Sequence, residues 1–300
     1  MTASALDEVR VSAPAKLNLI LKILGRLPNG YHELWSIMHT VDFFDYLTIQ
    51  RNPSSTSIRL TCQLDSLSVG EDNLVYRAAA RVLEKAHLVI GVDIHLEKHI
   101  PMGAGLGGGS SDAAATILGL VQLLGLGWSR QEMANVGGEI GSDVPFFFYA
   151  PQACIRGWGE IVEPVTMTGN RWVLLVNPGF PIETGWAYQR VAESRTRVPS
   201  LPPELQQVQQ EQTLDFGELM PLMKNDFETA LFPAIPRLAE IKQQLYDLGA
   251  DVALLSGSGS TLFGLFADQA GALRAGKTLE ENPQITVYCV KTSSVGLAIM

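Results

Sequence analysis

Positive charge is scarce in this chain: 22 lysines and arginines face 31 aspartates and glutamates, for a net charge of −9. So acidic a chain is badly matched to a nucleic-acid backbone, which excludes that class of partner, whereas a few lysines and oriented amides still suffice for a small anionic ligand. Cysteine is equally sparse. Cys62, Cys154 and Cys289 are odd in number, far apart and set among apolar residues. That excludes a disulfide framework or a paired-cysteine metal site and predicts buried thiols in a reducing compartment. No apolar run reaches the roughly 18 residues that a membrane helix needs, so no span is expected. Met1 to Arg10 has no hydrophobic centre and carries Asp7 and Glu8, so it reads as neither a secretory signal nor a transit peptide, and a cytoplasmic location is expected. With 46% hydrophobic and 18% charged residues the composition excludes disorder, and 300 residues suffice for a large core or two domains.

Strand and helix signals are mixed along the chain. From Val11 to Ile23 apolar residues alternate with Ser12, Lys16, Asn18 and Lys22, which predicts a strand with one buried face and places Lys16, Asn18 and Lys22 together on the other. A Pro28-Asn-Gly30 turn follows. Alternation recurs over Ser57–Leu64 and Gly91–Lys98, and helices are predicted over Asn73–Lys85 and Ser129–Glu139. Farther on, Trp172–Val176 reads as a strand, Leu201–Gln212 as an exposed loop and Ile235–Leu248 as an amphipathic helix. Val252–Phe266 reads as two strands about a Gly/Ser turn, and Gln284–Val290 as a last strand. Without a regular βαβ repeat, the pattern predicts an α+β fold.

The densest chemical signal is Pro101-Met102-Gly103-Ala104-Gly105-Leu106-Gly107-Gly108-Gly109-Ser110-Ser111, followed by Asp112 and three alanines. Five of the seven residues from Gly103 to Gly109 are glycine. Such a run loses much chain entropy on folding, and it lets backbone N–H groups approach an anion with no Cβ in the way. A helix expected to begin near Ser110 or Ser111 adds unpaired N–H groups and the positive end of its dipole. The segment is therefore read as a phosphate loop. It is not a P-loop, because no lysine follows the glycines. The protein-kinase loop also fails, with Ser110 where valine belongs. Gly103, Gly105 and Gly108 satisfy the dinucleotide pattern, but no acidic residue from Ala113 to Gln131 is available to hold a ribose.

The pattern Pro-x-x-x-Gly-Leu-x-x-x-Ser-Ser-x-Ala-Ala resembles the second motif of the GHMP kinases, named for galactokinase, homoserine kinase, mevalonate kinase and phosphomevalonate kinase. Pro14-Ala-Lys16-Leu-Asn18-Leu resembles their first motif, and Leu255-Ser-Gly-Ser-Gly-Ser-Thr261 their third. Gly30-Tyr31-His32-Glu33-Leu34, Gly141-Ser-Asp-Val-Pro145 and Asn225-Asp-Phe-Glu228 resemble the branch that phosphorylates a cytidine-diphosphate-linked polyol in isoprenoid-precursor synthesis.

The resemblance implies a two-domain α+β architecture with mixed and antiparallel sheets and an active site in the cleft between the domains; a mild shift in composition near residues 160–170 puts the division at 1–163 and 164–300. It implies ATP as phosphoryl donor, Mg²⁺, and a monomer or weak homodimer. Residue by residue it makes Asp143 the carboxylate that accepts the acceptor's hydroxyl proton, with Lys16 beside it. Asn18, Tyr31 and His32 recognise cytidine, with Tyr31 or Tyr188 as the aromatic face, and Thr184 meets the diphosphate or polyol. Asn73 and Lys98 lie near adenine, Pro101 to Ser111 hold the ATP phosphates, and Ser111 is offered as a direct or water-mediated metal contact. Met38 and Trp158 stand where apolar substrate-wall residues are expected.

Plainer readings compete. Lys16 alone suits a solvated strand, and Asp143 suits a helix N-cap before Val144-Pro145. Glu139 is the rival carboxylate, and His39, His87, His95 and His99 show no ligand spacing. Another GHMP kinase, a dinucleotide-dependent oxidoreductase and a non-catalytic nucleotide-binding regulator are the alternative functions.

Overall fold

The alternating run near the start becomes part of a 19-residue strand whose two faces are both covered. A computed structural model describes residues 7–26, 32–195 and 199–300; Tyr31 and the expected Pro28–Gly30 turn lie outside them. In chain order the first half comprises β1 (Glu8–Arg26), β2 (His32–Asn52), β3 (Ile58–Cys62), α1 (Leu74–Lys85), β4 (Gly91–Glu97), α2 (Gly108–Leu124), α3 (Arg130–Gly138), α4 (Val144–Tyr149), β5 (Gln152–Arg156) and β6 (Ile161–Pro164). The second half comprises β7 (Thr166–Thr168), β8 (Trp172–Asn177), α5 (Thr184–Ser194), α6 (Pro203–Val208), β9 (Thr213–Asp215), α7 (Phe216–Leu219), α8 (Phe227–Leu231) and α9 (Pro236–Asp247). It ends with β10 (Val252–Leu255), β11 (Leu262–Phe266), α10 (Gln269–Leu279), β12 (Thr286–Lys291) and β13 (Ala298–Ile299).

Strand order in the first sheet is β13-β1-β2-β4-β3, with β5 on β2 and β6 on β5. Its β3–β4 pair is parallel and the rest antiparallel. The second sheet, β10-β11-β8-β12, is wholly antiparallel. Among the described residues this is the expected α+β arrangement with mixed and antiparallel sheets. The expected division at residues 163–164 falls inside β6, and β13 returns from the chain's end to pair with β1.

The strand faces explain the burial of β1. Register shifts occur at Pro14/Ala15 and again between Asn18 and Ile20. Each bulge exchanges the faces of the residues that follow. Val11, Ala13, Leu21 and Ile23 accordingly join the core under the helices, whereas Ala15, Leu17, Leu19 and Ile20 join Val173, Leu175, Leu254 and Phe263 against the second sheet. The expected one-faced strand is thus corrected. Lys16 and Asn18 share the helix side with Leu21, and Lys22 falls on the other, because an uninterrupted period of two ignores the bulges.

Other boundaries shift locally. The helix after the glycine loop begins at Gly108, ahead of the serines. The expected loop at Leu201–Gln212 contains α6, whose Leu205 and Val208 are buried. Of the three thiols only Cys154 is buried, and burial pushes it up to about 12; Cys62 and Cys289 are half-exposed.

Candidate active site

The glycine-rich loop is held from behind by its own carbonyls. Leu106 O accepts the Lys16 amide at 2.9 Å, Ala104 O the Thr261 amide at 3.2 Å, and Gly105 O the Ser256 hydroxyl at 3.0 Å. Its acceptors are therefore spent on β1 and on the β10–β11 turn. Gly105 has φ +76°, and a Cβ there would stand 2.0 Å from Ser256 O, so only glycine permits this approach. Gly107, in the left-handed region at φ +70°, is the N-cap of α2, and no side chain caps that end. The first turn of α2 thus presents N–H groups without intrahelical partners, together with the positive end of the helix dipole. Gly107, Gly108, Gly109 and Ser110 line a cavity of about 770 Å³. Such a helix start can take an anion.

Facing it is a charge pair. Lys16, only 3% exposed, lies 3.4 Å from Asp143 Oδ2 and donates to Asn18 Oδ1 at 2.6 Å. The Asn18 amide donates in turn to Ser36 Oγ at 2.8 Å, and Ser36 donates to Ile20 O at 2.6 Å. Both ends of the Asn18 carboxamide are therefore engaged, and its observed work is to hold Lys16. Asp143 occupies the N-cap position of α4 but makes no capping bond, so its carboxylate is left to Lys16 and the cavity. Glu139, the rival carboxylate, sits at the surface with Arg81 and with Lys85 at 3.2 Å.

Tyr188 on α5 lines the same cavity. His32 stacks on it at 4.6 Å and 15°, and Phe227 meets it edge-on at 4.9 Å. Burial, and then the negative charge of Asp143, push the Tyr188 phenol up, so it stays protonated. Burial, and then Arg26 and Arg195, push His32 down, which favours a neutral ring. Thr184 at the start of α5 is 3.2 Å from Ser258 Oγ in the β10–β11 turn, and both line the cavity. Met38 lines it too, whereas Trp158 lies in the turn between β5 and β6, outside that lining.

Two residues expected near adenine line the same cavity, and their side chains are also bonded within the protein. Asn73 caps α1, accepting from Val75 N at 2.8 Å and donating to Ser68 O at 2.6 Å. Lys98 is buried and donates to Asp45 and, at 2.8 Å, to Asp112. Its ammonium stands 2.8 Å from where a Gly108 Cβ would be. Asp45 in turn takes the amides of His99 and Ile100 at 2.5 and 2.8 Å. Burial pushes Asp112 up, with the charge of Asp45 acting in the same sense and Lys98 opposing. Asp45 was missed from sequence, since nothing local marks it; Asp112 stood inside the loop motif without a role. The Ser111 hydroxyl, fully buried, and Asp112 Oδ1 have no hydrogen-bond partner, and Ser110 rather than Ser111 faces the cavity. The other histidines divide as expected between core (His39) and surface (His87, His95, His99).

Comparison with known proteins decides the family. Models for the N terminal domain and the C terminal domain of GHMP kinases match residues 73–150 and 195–283. The chain belongs to the GHMP kinases. Within this family the 4-diphosphocytidyl-2-C-methyl-D-erythritol kinase of Syntrophotalea carbinolica is 40% identical over 283 residues, covering 93% of this GHMP kinase and 97% of the relative. The kinase of the same name from Geobacter metallireducens is 36% identical, covering 95% and 99%. A crystal structure of 4-(cytidine 5'-diphospho)-2C-methyl-D-erythritol kinase superimposes with a TM-score of 0.76 at 32% identity, covering 95% of this chain and all of that one (100%). Homoserine kinase from Cytophaga hutchinsonii, at 20% identity and a TM-score of 0.75, shares the fold. Membership makes this GHMP kinase an ATP-dependent small-molecule kinase and removes the oxidoreductase alternative. Among the described residues no helix is long and apolar enough to cross a membrane.

Proposed function

We propose that this kinase transfers the γ-phosphoryl group of ATP to the 2-hydroxyl of 4-diphosphocytidyl-2-C-methyl-D-erythritol, giving the 2-phosphate and ADP, a step of isoprenoid-precursor synthesis. The observation that carries the reading is the Lys16–Asp143 pair, 3.4 Å apart, facing the uncapped start of α2 across one cavity. The like-named relatives at 36–40% identity over nearly the whole chain support the choice of acceptor.

In this mechanism the hydroxyl oxygen attacks the γ-phosphorus as the bond to the bridging oxygen breaks and ADP departs. Such a transfer asks chiefly for positioning and charge neutralisation. Asp143 accepts the hydroxyl's hydrogen bond, aims its oxygen and takes its proton as the new P–O bond forms. Lys16, held in place by Asn18, neutralises charge on the transferring group. The first-turn amides of α2 bind the phosphates. Tyr188 with His32 stacked behind it offers the flat surface on which a pyrimidine packs, Tyr31 recognises the same base, and Thr184 meets the diphosphate. Asn73 and Lys98 act through the loop and helix starts they hold.

Mg²⁺ fits the donors at this helix start. They are hard oxygens (Ser110, the unpartnered Ser111 hydroxyl and Asp112 Oδ1), and no cluster of three His, Cys, Asp or Glu occurs among the described residues. A cation that keeps most of its waters and binds phosphates needs few protein ligands. Held there, it would supply charge neutralisation for the nucleotide phosphates. We place the domain boundary at 163–164, with β13 as a strap back to the first sheet, and the protein in the cytoplasm as a monomer or weak homodimer.

The test is ADP release from Mg·ATP with 4-diphosphocytidyl-methylerythritol, mevalonate and homoserine offered in parallel, the product weighed by mass spectrometry. Turnover with the cytidine alcohol alone is expected. Turnover with another alcohol instead would overturn the acceptor, and a folded, ATP-binding protein inert toward all three would favour a regulator.

A further inference from the structure

The segment Asn225-Asp226-Phe227-Glu228 lies outside the loop and the charge pair; Phe227 lines the cavity, and the other three side chains end on β1 and on the β10–β11 turn, which border it. Its backbone runs beside β1 just beyond Asn18. Leu21 N donates to Lys224 O at 2.8 Å, and Asp226 N donates to Leu21 O at 2.9 Å. The Asp226 carboxylate takes the Ile23 amide at 3.0 Å, Lys22 at 2.5 Å and Arg195 at 2.7 Å. This end of the segment is thereby fastened to the strand that carries Lys16.

The other end grips the β10–β11 turn. The Asn225 amide, 4% exposed, donates to Leu255 O at 2.7 Å and Gly257 O at 2.8 Å, while its Oδ1 accepts from Phe227 N at 2.9 Å. Glu228 accepts the Leu255 amide at 2.8 Å and Lys242 at 2.6 Å. Both backbone groups at Leu255 that face the segment are thus held by two of its side chains. The turn that begins there is the one whose Ser256 hydroxyl ties Gly105 of the phosphate loop. Its Gly257 backs onto Lys16, whose ammonium is 3.3 Å from where a Cβ would be. Between the two grips, buried Phe227 sets the edge of the Tyr188 ring.

We propose that these four residues form a positioning bracket that fixes the β10–β11 turn, and through it the phosphate loop, relative to Lys16 and the aromatic pocket. Asn225 and Glu228 set the turn, Asp226 sets the strand, and Phe227 sets the ring; none of the four meets the reacting atoms. The bracket rests on the kinase reading above. Its consequence is specific: loosening the turn grip degrades nucleotide binding and kcat while leaving recognition of the cytidine alcohol in place.

Asn225→Asp isolates the grip, because it keeps the shape and the acceptor for Phe227 N but replaces the two donations with an oxygen facing two carbonyls. Melting temperature, affinity for a non-hydrolysable ATP analogue with Mg²⁺, and steady-state constants would be measured on the full chain. The expected result is a folded variant with analogue affinity and kcat each down by at least about tenfold, and KM for the cytidine alcohol close to that of the parent. A folded variant with unchanged kcat and analogue affinity, or with equal losses toward both substrates, overturns the bracket. Should Asn225→Asp fail to fold, Glu228→Gln and Glu228→Ala decide. Glutamine still accepts from Leu255 N, so its kcat should stay near the parent's while alanine's falls; equal behaviour of the two overturns the proposal. Analogue affinity needs no acceptor alcohol. A parent that binds the analogue but leaves the cytidine alcohol untouched therefore defeats the assigned reaction without touching the test of the bracket.

Discussion

Two buried lysines have come to very different uses. Lys16 and Lys98 both end in buried ammonium groups, but Lys16 has one carboxylate at 3.4 Å across the cavity wall, and Lys98 is enclosed by two. Asp143→Asn keeps the volume but removes the negative charge and turns one of the two acceptor oxygens into an NH2 donor, so it can no longer take the hydroxyl's proton. Its kcat is expected to fall by about 10²–10⁴-fold, with analogue binding retained, as measured by single-turnover rates and titration. Near-normal kcat would remove Asp143 from the chemistry. Lys98→Met acts differently, since it strands Asp45 and Asp112 in the core without a counter-charge. Loss of one partner of a buried pair costs about 3–5 kcal/mol, so denaturant unfolding should show a large drop in stability. A stable Lys98→Met protein that had lost only nucleotide affinity would instead return Lys98 to direct contact with the nucleotide.

At the scale of elements, the phosphate site depends on how one helix begins. The absence of a side-chain cap on α2 leaves its first N–H groups for a ligand, and the turn into it exists only because Gly107 tolerates φ +70°. Gly107→Ala must hold a Cβ in the left-handed region, at about 1–2 kcal/mol, and places that carbon 2.8 Å from Lys16 Cγ. A shift of Lys16 by a fraction of an ångström is expected to lower kcat by more than about tenfold, read by steady-state kinetics alongside a melting curve. An alanine variant with the parent's kcat would show that Lys16 and the loop do not need this contact. The use proposed for the loop could be read from sequence because glycine density, the following serines and alanines, and the lack of a lysine are local facts. The start of the helix was misplaced by two residues for a local reason too: serines are usual caps, and here a glycine takes that position.

For the whole molecule, the sensitive element is a buried histidine that pairs with Leu17 across β1 and β2. His39 is 2% exposed, bonded to Thr40 O at 2.7 Å and near Gln152 at 3.2 Å, and burial pulls it down to about 4. The unfolded chain takes up a proton at His39 near pH 6.5, whereas the fold resists it until about pH 4. Stability from this group is therefore present above pH 6.5 and lost as pH falls toward 4, by about 3 kcal/mol in all. Denaturant unfolding at pH 7 and pH 4.5, compared between the parent and His39→Gln, should show the parent losing more. Parallel losses would mean that His39 does not govern the acid limb.

The sequence by itself determined the kind of molecule: an acidic, cysteine-poor α+β chain with a phosphate-binding loop and three ordered motifs of one kinase family. These are properties of composition, spacing and short periods, and nearby residues carry them wherever the chain goes. Only the tertiary structure decided which carboxylate faces Lys16, that Asn18 is spent on holding that lysine, and that Lys22 lies on the opposite face. Asp143 and Glu139 are four residues apart in one stretch, yet one turns into the cavity and the other onto Arg81 and Lys85. The register shifts between β1 and β2 follow from how the two strands pair, and the grip of Asn225 on the β10–β11 turn follows from where that turn packs. Register and packing are long-range quantities, set by which surfaces can be buried together, and no window of neighbouring residues contains them.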